Sequence, residues 1–348
     1  MEKYVQSFVV DLPKIELHAH LNGSLSHRTL EKLISIKKQK EDGNKLDLKL
    51  PKLSSNNLSQ CFETFNLIHK ITDSPEAIYV ATCDVIEEFY NDGVLYLELR
   101  TTPKDVLPSM TQDIYVETVL KAIQDACSTT NEEIKVKLLL SVDRKRPFVN
   151  AEKTLQIAEK FNISSGTVVG IDFSGDPTTE DIHSFLPILE SAKKKGLKLA
   201  IHISEVPNKF EEVEKLLNLQ PDRLGHGTYL LPEQGGSVKN FELFQKLQIP
   251  LEICLTSNVV SKTVPSYADH HFKYLKEMGY PCILCTDDKG VFNTTLSHEY
   301  YLAFEHYSLT QKELFDLSFS SIDHIFSPNT VKEDLKDRWS EKRKALVM

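Results

Sequence analysis

The chain has 348 residues, a net charge of −9, and apolar and charged fractions of 41% and 26%, which suits one large domain, or two smaller ones, around a sizeable core. The acidic balance disfavours a nonspecific nucleic-acid or membrane-surface role but leaves room for a local phosphate pocket. No apolar run approaches the roughly 20 residues that span a bilayer, residues 1–13 lack the marks of a signal peptide, and six scattered cysteines suit reduced thiols in the cytoplasm.

In chain order, short β-rich runs alternate with helical segments. The first run, Lys14–His20, ends in His18-Ala-His20. Residues two apart on a strand share a face, so both imidazoles point one way. One histidine there would be an ordinary structural residue, whereas a pair at this spacing points to a metal. A long stretch follows. Residues 36–57 are polar and lysine-rich, and 59–71 has the pattern of an amphipathic helix. Segments after barrel strands lie over the active-site face, so an insertion over about 22–92 is either a lid or a solvated decoration. Ser74-Pro75-Glu76 reads as the start of a helix that stops at Gly93.

The remaining runs are 94–102, 136–142, 167–174, 197–204, 223–227, 251–256 and 282–286. Several are nearly continuous in Val, Ile and Leu, as parallel strands covered on both faces are. Pro187 breaks or kinks the helix expected over 181–195. Thr310-Gln-Lys-Glu313 has capping-box form, and 331–347 reads as a charged surface helix. Eight strands alternating with helices predict a single-domain TIM (β/α)8 barrel over 1–348, with a helical insertion after the first strand. An open doubly wound sheet is the alternative, but no Gly-rich phosphate loop follows the first strand.

Polar residues interrupt these runs almost always at C-terminal ends, where barrel enzymes place their chemistry. The fifth ends in His202-Ile-Ser-Glu205, the sixth carries His226 between Gly225 and Gly227, and the eighth ends in Asp287-Asp288. Each has a bland explanation alone: a helix cap for the aspartates, a core histidine, a first-turn acid for Glu205. Together they imply convergence on one barrel mouth. His18, His20, His202 and Asp287 form a nitrogen-rich set suited to one Zn2+ per subunit. No lysine occurs in 167–174 to bridge a second ion. Cys282 and Cys285 form a Cys-x-x-Cys, but alternation sends them to opposite faces, so they are expected to be core thiols.

The motifs Pro13-Lys-Ile-Glu-Leu-His-Ala-His-Leu21, Ser174-Gly-Asp176, His202-Ile-Ser-Glu205, Leu224-Gly-His-Gly227, Leu255-Thr-Ser-Asn258 and Thr286-Asp-Asp288 resemble, in order and over nearly the whole chain, the adenosine/AMP deaminase family of the amidohydrolase superfamily. Leu21-Asn-Gly-Ser24, Thr101-Thr-Pro-Lys104 and Asp287-Asp-Lys-Gly-Val-Phe292 are similar to its adenosine deaminase-like branch, whose members deaminate N6-methylated AMP. The resemblance implies a hydrolytic deaminase that converts N6-methyl-AMP to IMP and methylamine. His18, His20, His202 and Asp287 would hold zinc, which lowers the pKa of a bound water from about 15.7 to about 7. Glu205 would protonate or hydrogen-bond purine N1. His226 would orient the water and assist its deprotonation. Asp288 would face N7, the backbone of Gly175 would face N3, and His20 would touch the substrate as well as the metal.

Nucleoside deaminases of the family carry Asp where this chain has Asn22. A carboxylate about 4 Å from a phosphate, at an effective dielectric near 20, is opposed by roughly 4 kcal/mol per pair of unit charges, before screening. Asn22 removes that repulsion and adds a donor. Lys104 is then the expected phosphate cation, with hydroxyl donors from Thr101 and Thr102 and with Pro103 between. Lysine there keeps the charge of the arginine common in relatives but loses its bidentate fork. The resemblance adds His69 from the inserted helix and Asp143 at the third strand end. Three rivals stand beside this reading: an adenosine or AMP deaminase, a catalytically silent purine-nucleotide-binding protein, and a mononuclear amidohydrolase that opens a ring amide. The expected partner is a small-molecule nucleotide, with no nucleic-acid polymer and no membrane, and the expected assembly is a monomer.

Overall fold

The computed structural model describes residues 2–40, 48, 50, 58–179 and 182–346. Eight strands follow the runs read from the sequence: β1 Lys14–His20, β2 Val94–Thr101, β3 Lys135–Asp143, β4 Val168–Ser174, β5 Lys198–Ile203, β6 Arg223–His226, β7 Leu251–Ile253 and β8 Cys282–Leu284. They pair in sequence order, each parallel to the next. The ends meet through a parallel bridge between Ala19 and Asp287, with Asp287 N donating to His18 O and His20 N donating to Asp287 O. The fold is the expected (β/α)8 barrel, and a residue of the candidate site helps to close it.

The helices are α1 Glu2–Asp11, α2 His27–Lys40, α3 Leu58–Ile71, α4 Pro75–Asn91, α5 Gln112–Thr129, α6 Phe148–Ser165, α7 Leu186–Lys194, α8 Phe210–Asn218, α9 Val238–Leu247, α10 Leu255–Val260, α11 His271–Glu277, α12 Leu296–Tyr307, α13 Gln311–Ser320 and α14 Asn329–Ala345. Local chemistry sets several boundaries. Ser74 Oγ accepts from Ala77 N ahead of Pro75, and the Thr310–Glu313 capping box forms. Pro187 does not kink a helix over 181–195. The helix starts at Leu186, so the proline sits in its first turn, where its missing N–H costs nothing. Ser26, Thr29 and Lys32 tie α2 to Glu88 and Asp84 on α4. The polar stretch expected from residue 36 is still helical through Lys40; residues 41–47, 49 and 51–57 lie outside the described residues. The sequence reading did not anticipate α1 and had β7 three residues too long: α10 begins at Leu255.

The barrel interior departs from the apolar reading of the strands. Glu16, Glu98, Arg100, Asp172, Arg223 and Glu252 are fully buried inside or at the ends of strands. Arg100 on β2 donates to Asp172 on β4 at 2.8 Å, to Glu252 on β7 at 2.9 Å and to Leu17 O. Arg223 donates to Glu252 at 2.6 Å and to Glu98 at 2.5 Å. Such cross-barrel pairs need interior-facing side chains. They are stable there because each charge is neutralised and hydrogen-bonded. The cysteines are free, and Cys282 and Cys285 are buried. Among the described residues no helix is long and apolar enough to cross a membrane.

Candidate active site

His18 and His20 arrive on the last turns of β1, His202 at the end of β5, His226 at the end of β6 and Asp287 just past β8. Ser204, His226 and Asp287 have φ of 56°, 61° and 60°. Side chains other than glycine rarely adopt these values, which turn the chain sharply at the strand ends.

Ligand atoms of His18, His202, His226 and Asp287 all lie within 4.8 Å of one another. His20 enters the same cluster, its Nε2 3.3 Å from His202 Nε2 and 3.4 Å from Asp287 Oδ1. His18 Nε2 is 3.3 Å from that same oxygen. Ligands about 2.0–2.1 Å from a tetrahedral ion stand about 3.3 Å apart, so these three spacings have the length of polyhedron edges. His226 Nε2 lies 4.0 Å from Asp287 Oδ2, and its ring centroid stands 4.9 Å from that of His18 and 5.0 Å from that of His202. His18 Nε2 is buried without a hydrogen-bond partner, as a metal-ligating nitrogen would be.

The other ring nitrogens are turned toward carboxylates. His18 Nδ1 lies 2.7 Å from Glu252 Oε2, and His202 Nδ1 lies 3.2 Å from Asp172 Oδ1. Burial would raise both acids, but Arg100 acts on both and Arg223 on Glu252, and their charges hold them well below the usual carboxylate range. The hydrogen bond between Glu252 and His18 Nδ1 keeps a proton there and turns Nε2 to the cluster, whereas His202 Nδ1 makes no hydrogen bond and meets Asp172 as a charge alone.

Beside the cluster, Glu205 Oε1 is 3.8 Å from His226 Nε2 and about a fifth of its side chain is exposed. Burial pushes its carboxyl up to about 7, with His202 opposing and Asp287 adding to the shift. Asp288 is raised well above the usual range by burial and by the charge of Asp287. A Cβ on Gly23 would overlap Asp288 Oδ1, so only glycine leaves that carboxyl its place. Gly175 has φ +102°, and a Cβ there would stand 2.2 Å from Asp143 Oδ1.

At the outer edge of the mouth, Thr101 Oγ1 meets Tyr115 Oη at 2.6 Å, and Tyr115 also faces Asn22. Asn22 Oδ1 is buried without a partner. Thr102 is half-buried and Pro103 buried. Lys104 Nζ donates to Thr72 Oγ1 at 3.0 Å, and burial lowers its pKa to about 8. His69 is exposed on α3; partial desolvation and then the charges of Lys104 and Arg146 hold its pKa down, while Asp143 opposes. Arg146 donates to Pro103 O at 3.0 Å and pairs with Asp143 at 3.5 Å.

Several contributors escaped the sequence reading. Arg146 is one; its signal was Asp143-Arg-Lys-Arg146 at a strand end. Glu252, Asp172 and Arg100 are others, visible as charges within apolar strands. Ser257 Oγ, which donates to Asp287 Oδ2 at 2.6 Å, and Asn258 Nδ2, 3.2 Å from His226 Nδ1, lay in a motif noticed but given no role.

Residues 13–342 match the family described as Adenosine deaminase. Human N6-Methyl-AMP deaminase is 47% identical over 335 residues, covering 96% of this chain and 94% of that protein. The crystal structure of Arabidopsis N6-mAMP deaminase superposes with a TM-score of 0.87 at 36% identity, covering 96% of this chain and 99% of the other. A structure of Arabidopsis ADAL complexed with IMP gives 0.86 at 36% identity, covering 97% and 98%.

Proposed function

The chain belongs to the adenosine deaminase family and is a hydrolase of carbon–nitrogen bonds, and on that premise we propose that it converts N6-methyl-AMP and water to IMP and methylamine. The observation that carries this reading is the spacing of His18, His20, His202 and Asp287 at 3.3–3.4 Å beside a carboxyl held near neutrality. The names of the relatives and the IMP complex of the Arabidopsis protein support the substrate and the product.

We assign His18, His20, His202 and Asp287 as ligands of one divalent ion, with zinc favoured by the nitrogen-rich set. Such an ion supplies a water deprotonated near neutral pH. His226 orients the attacking oxygen. As C6 becomes tetrahedral, Glu205 delivers its proton to N1, stabilising charge that would otherwise build on the ring. Asp288 faces N7, to which its carboxyl donates when protonated, and the Gly175 N–H meets N3. The oxygen stays on C6; of the two protons of the water, one replaces the proton Glu205 gave to N1 and the other leaves on methylamine. Asn22, Thr101, Thr102, Pro103 and Asp143 line the ribose side, while Lys104, His69 and Arg146 face the phosphate. The insertion would then cover the phosphate end, since α3 carries His69. Six free thiols suit a cytoplasmic setting.

Turnover of N6-methyl-AMP, AMP and adenosine tests the proposal. N6-methyl-AMP should have the highest kcat/KM, with adenosine lower by decades. A preference for adenosine would refute the nucleotide reading. Absence of amine release from metal-replete protein with every candidate would favour a silent binder.

A further inference from the structure

A chain of hydrogen bonds behind His226 fixes which of its ring nitrogens carries the proton. It starts at a donor of one possible sense, the backbone N–H of Phe272, which donates to His270 Nδ1 at 3.1 Å. His270 Nδ1 is thus an acceptor, so the ring is neutral with its proton on Nε2. That Nε2 lies 3.1 Å from Asn258 Oδ1. The orientation of the amide follows, because turning it over would set two donors against each other. Asn258 Nδ2 then donates to His226 Nδ1 at 3.2 Å. His226 Nδ1 is an acceptor in turn, and its proton sits on Nε2. All four groups are buried, so water does not interrupt the sequence. His271 holds the other end of the residue, with Nε2 2.8 Å from His226 O.

His18 and His202 are set the opposite way. Their Nδ1 atoms face the carboxylates of Glu252 and Asp172 at 2.7 and 3.2 Å, and their Nε2 atoms face the cluster. His226 Nε2 lies 3.8 Å from Glu205 Oε1 and 4.0 Å from Asp287 Oδ2, too far for a direct hydrogen bond to either. Its N–H is available to an oxygen placed among these groups.

We propose that Asn258 and His270 are positioning residues that lock His226 in its Nε2–H tautomer, so that His226 meets the attacking oxygen as a hydrogen-bond donor and is neither a metal ligand nor the acceptor of the water's proton. This refines the expectation that His226 assists deprotonation. Its mechanistic consequence rests on the hydrolytic reading above, but the tautomer itself does not.

The test is 15N NMR of histidine-labelled, zinc-loaded protein, with the His226 signals assigned by their loss in His226→Ala. Wild type should show an unprotonated Nδ1 and a protonated Nε2. In Asn258→Asp the carboxylate can only accept. The proton is then expected on Nδ1 and gone from Nε2, with kcat lowered about 10²-fold and KM little changed, the scale of loss when the partner that sets an imidazole is altered. A wild-type proton on Nδ1 overturns the proposal. So does an Asn258→Asp enzyme that has lost the Nε2 proton and still turns over at the wild-type rate. Should that variant not fold, the wild-type spectrum decides alone. The spectrum is independent of turnover, so an error about the substrate leaves it intact and separately readable.

Discussion

The two ends of the active site are built by different means. At the inner end, His18 and His202 are each backed by a buried carboxylate, and each carboxylate is held by Arg100. Arg100, Glu252 and Asp172 are fully buried; the two carboxylates stand beside the rings, and Arg100 on β2 joins them from the other strands. At the outer end, Lys104, Arg146 and His69 stand on a loop, a loop and an inserted helix, all at least partly exposed. The first arrangement fixes atoms to within the tolerance of a coordination sphere. The second gathers positive charge where an anion could sit and leaves side chains room to adjust. Chemistry at C6 needs geometry, whereas recognition of a phosphate needs charge.

Removing metal should have the largest effect and should fall on the inner end alone. Dialysis against a chelator is expected to lower kcat/KM by roughly 10³-fold or more, given the several kcal/mol such an ion supplies. Added zinc should restore it. Activity that survives in verified metal-free protein would break the comparison at its root.

Glu252→Gln should come next. It removes one charge that neutralises two arginines and orients His18. Metal affinity should fall about 10–100-fold, the usual cost of losing a partner behind a ligating histidine. Leaving buried arginine charge uncompensated should also cost about 3–5 kcal/mol of stability. Zinc titration and thermal unfolding measure the two effects separately. Unchanged zinc affinity would mean that the barrel interior stabilises the fold without positioning the site.

Arg146→Ala probes the other end. Hydrogen bonds to charged groups contribute about 1.5–3 kcal/mol, so KM for the nucleotide should rise at least about tenfold. Zinc content and the turnover of a nucleoside should not change. Parallel losses on nucleotide and nucleoside would remove Arg146 from the phosphate end.

How legible these two ends were in the sequence follows from the same physics. Strands, helix caps and strand-end histidines obey local periodicities, so eight strands and the cluster around Asp287 could be placed before any coordinates. Arg100 and Glu252 are 152 positions apart, and no local period connects them. They read as interruptions of apolar strands, and only barrel closure makes them neighbours. Asn258 and His270 acquire meaning from the direction of hydrogen bonds, which spacing does not encode. Arg146 sits in a short run of charges with no periodic signal, and only the fold brings the loops after β2 and β3 together, where it donates to Pro103 O.

The smallest expected effect concerns pH and isolates Lys104. Burial lowers its pKa to about 8, so its charge is present below that pH and lost as pH rises through it. The profile of kcat/KM reports ionisations of free enzyme and free substrate. The substrate's phosphate, with a second pKa near 6, is already a dianion over this range. kcat/KM for the nucleotide should therefore decline above about pH 8, by less than tenfold per unit because Arg146 remains charged. Glu205, with its carboxyl near 7, also loses its proton as pH rises, so a decline in wild type alone would be ambiguous. Lys104→Arg resolves this, because arginine stays charged throughout. Dividing the wild-type profile by that of Lys104→Arg cancels Glu205 and every other shared ionisation. The quotient should be flat below pH 7 and fall above 8. A quotient flat to pH 10 would mean that Lys104 keeps its charge throughout or does not touch the phosphate, and an Arg146→Ala background, in which any dependence on Lys104 must grow, separates these two outcomes.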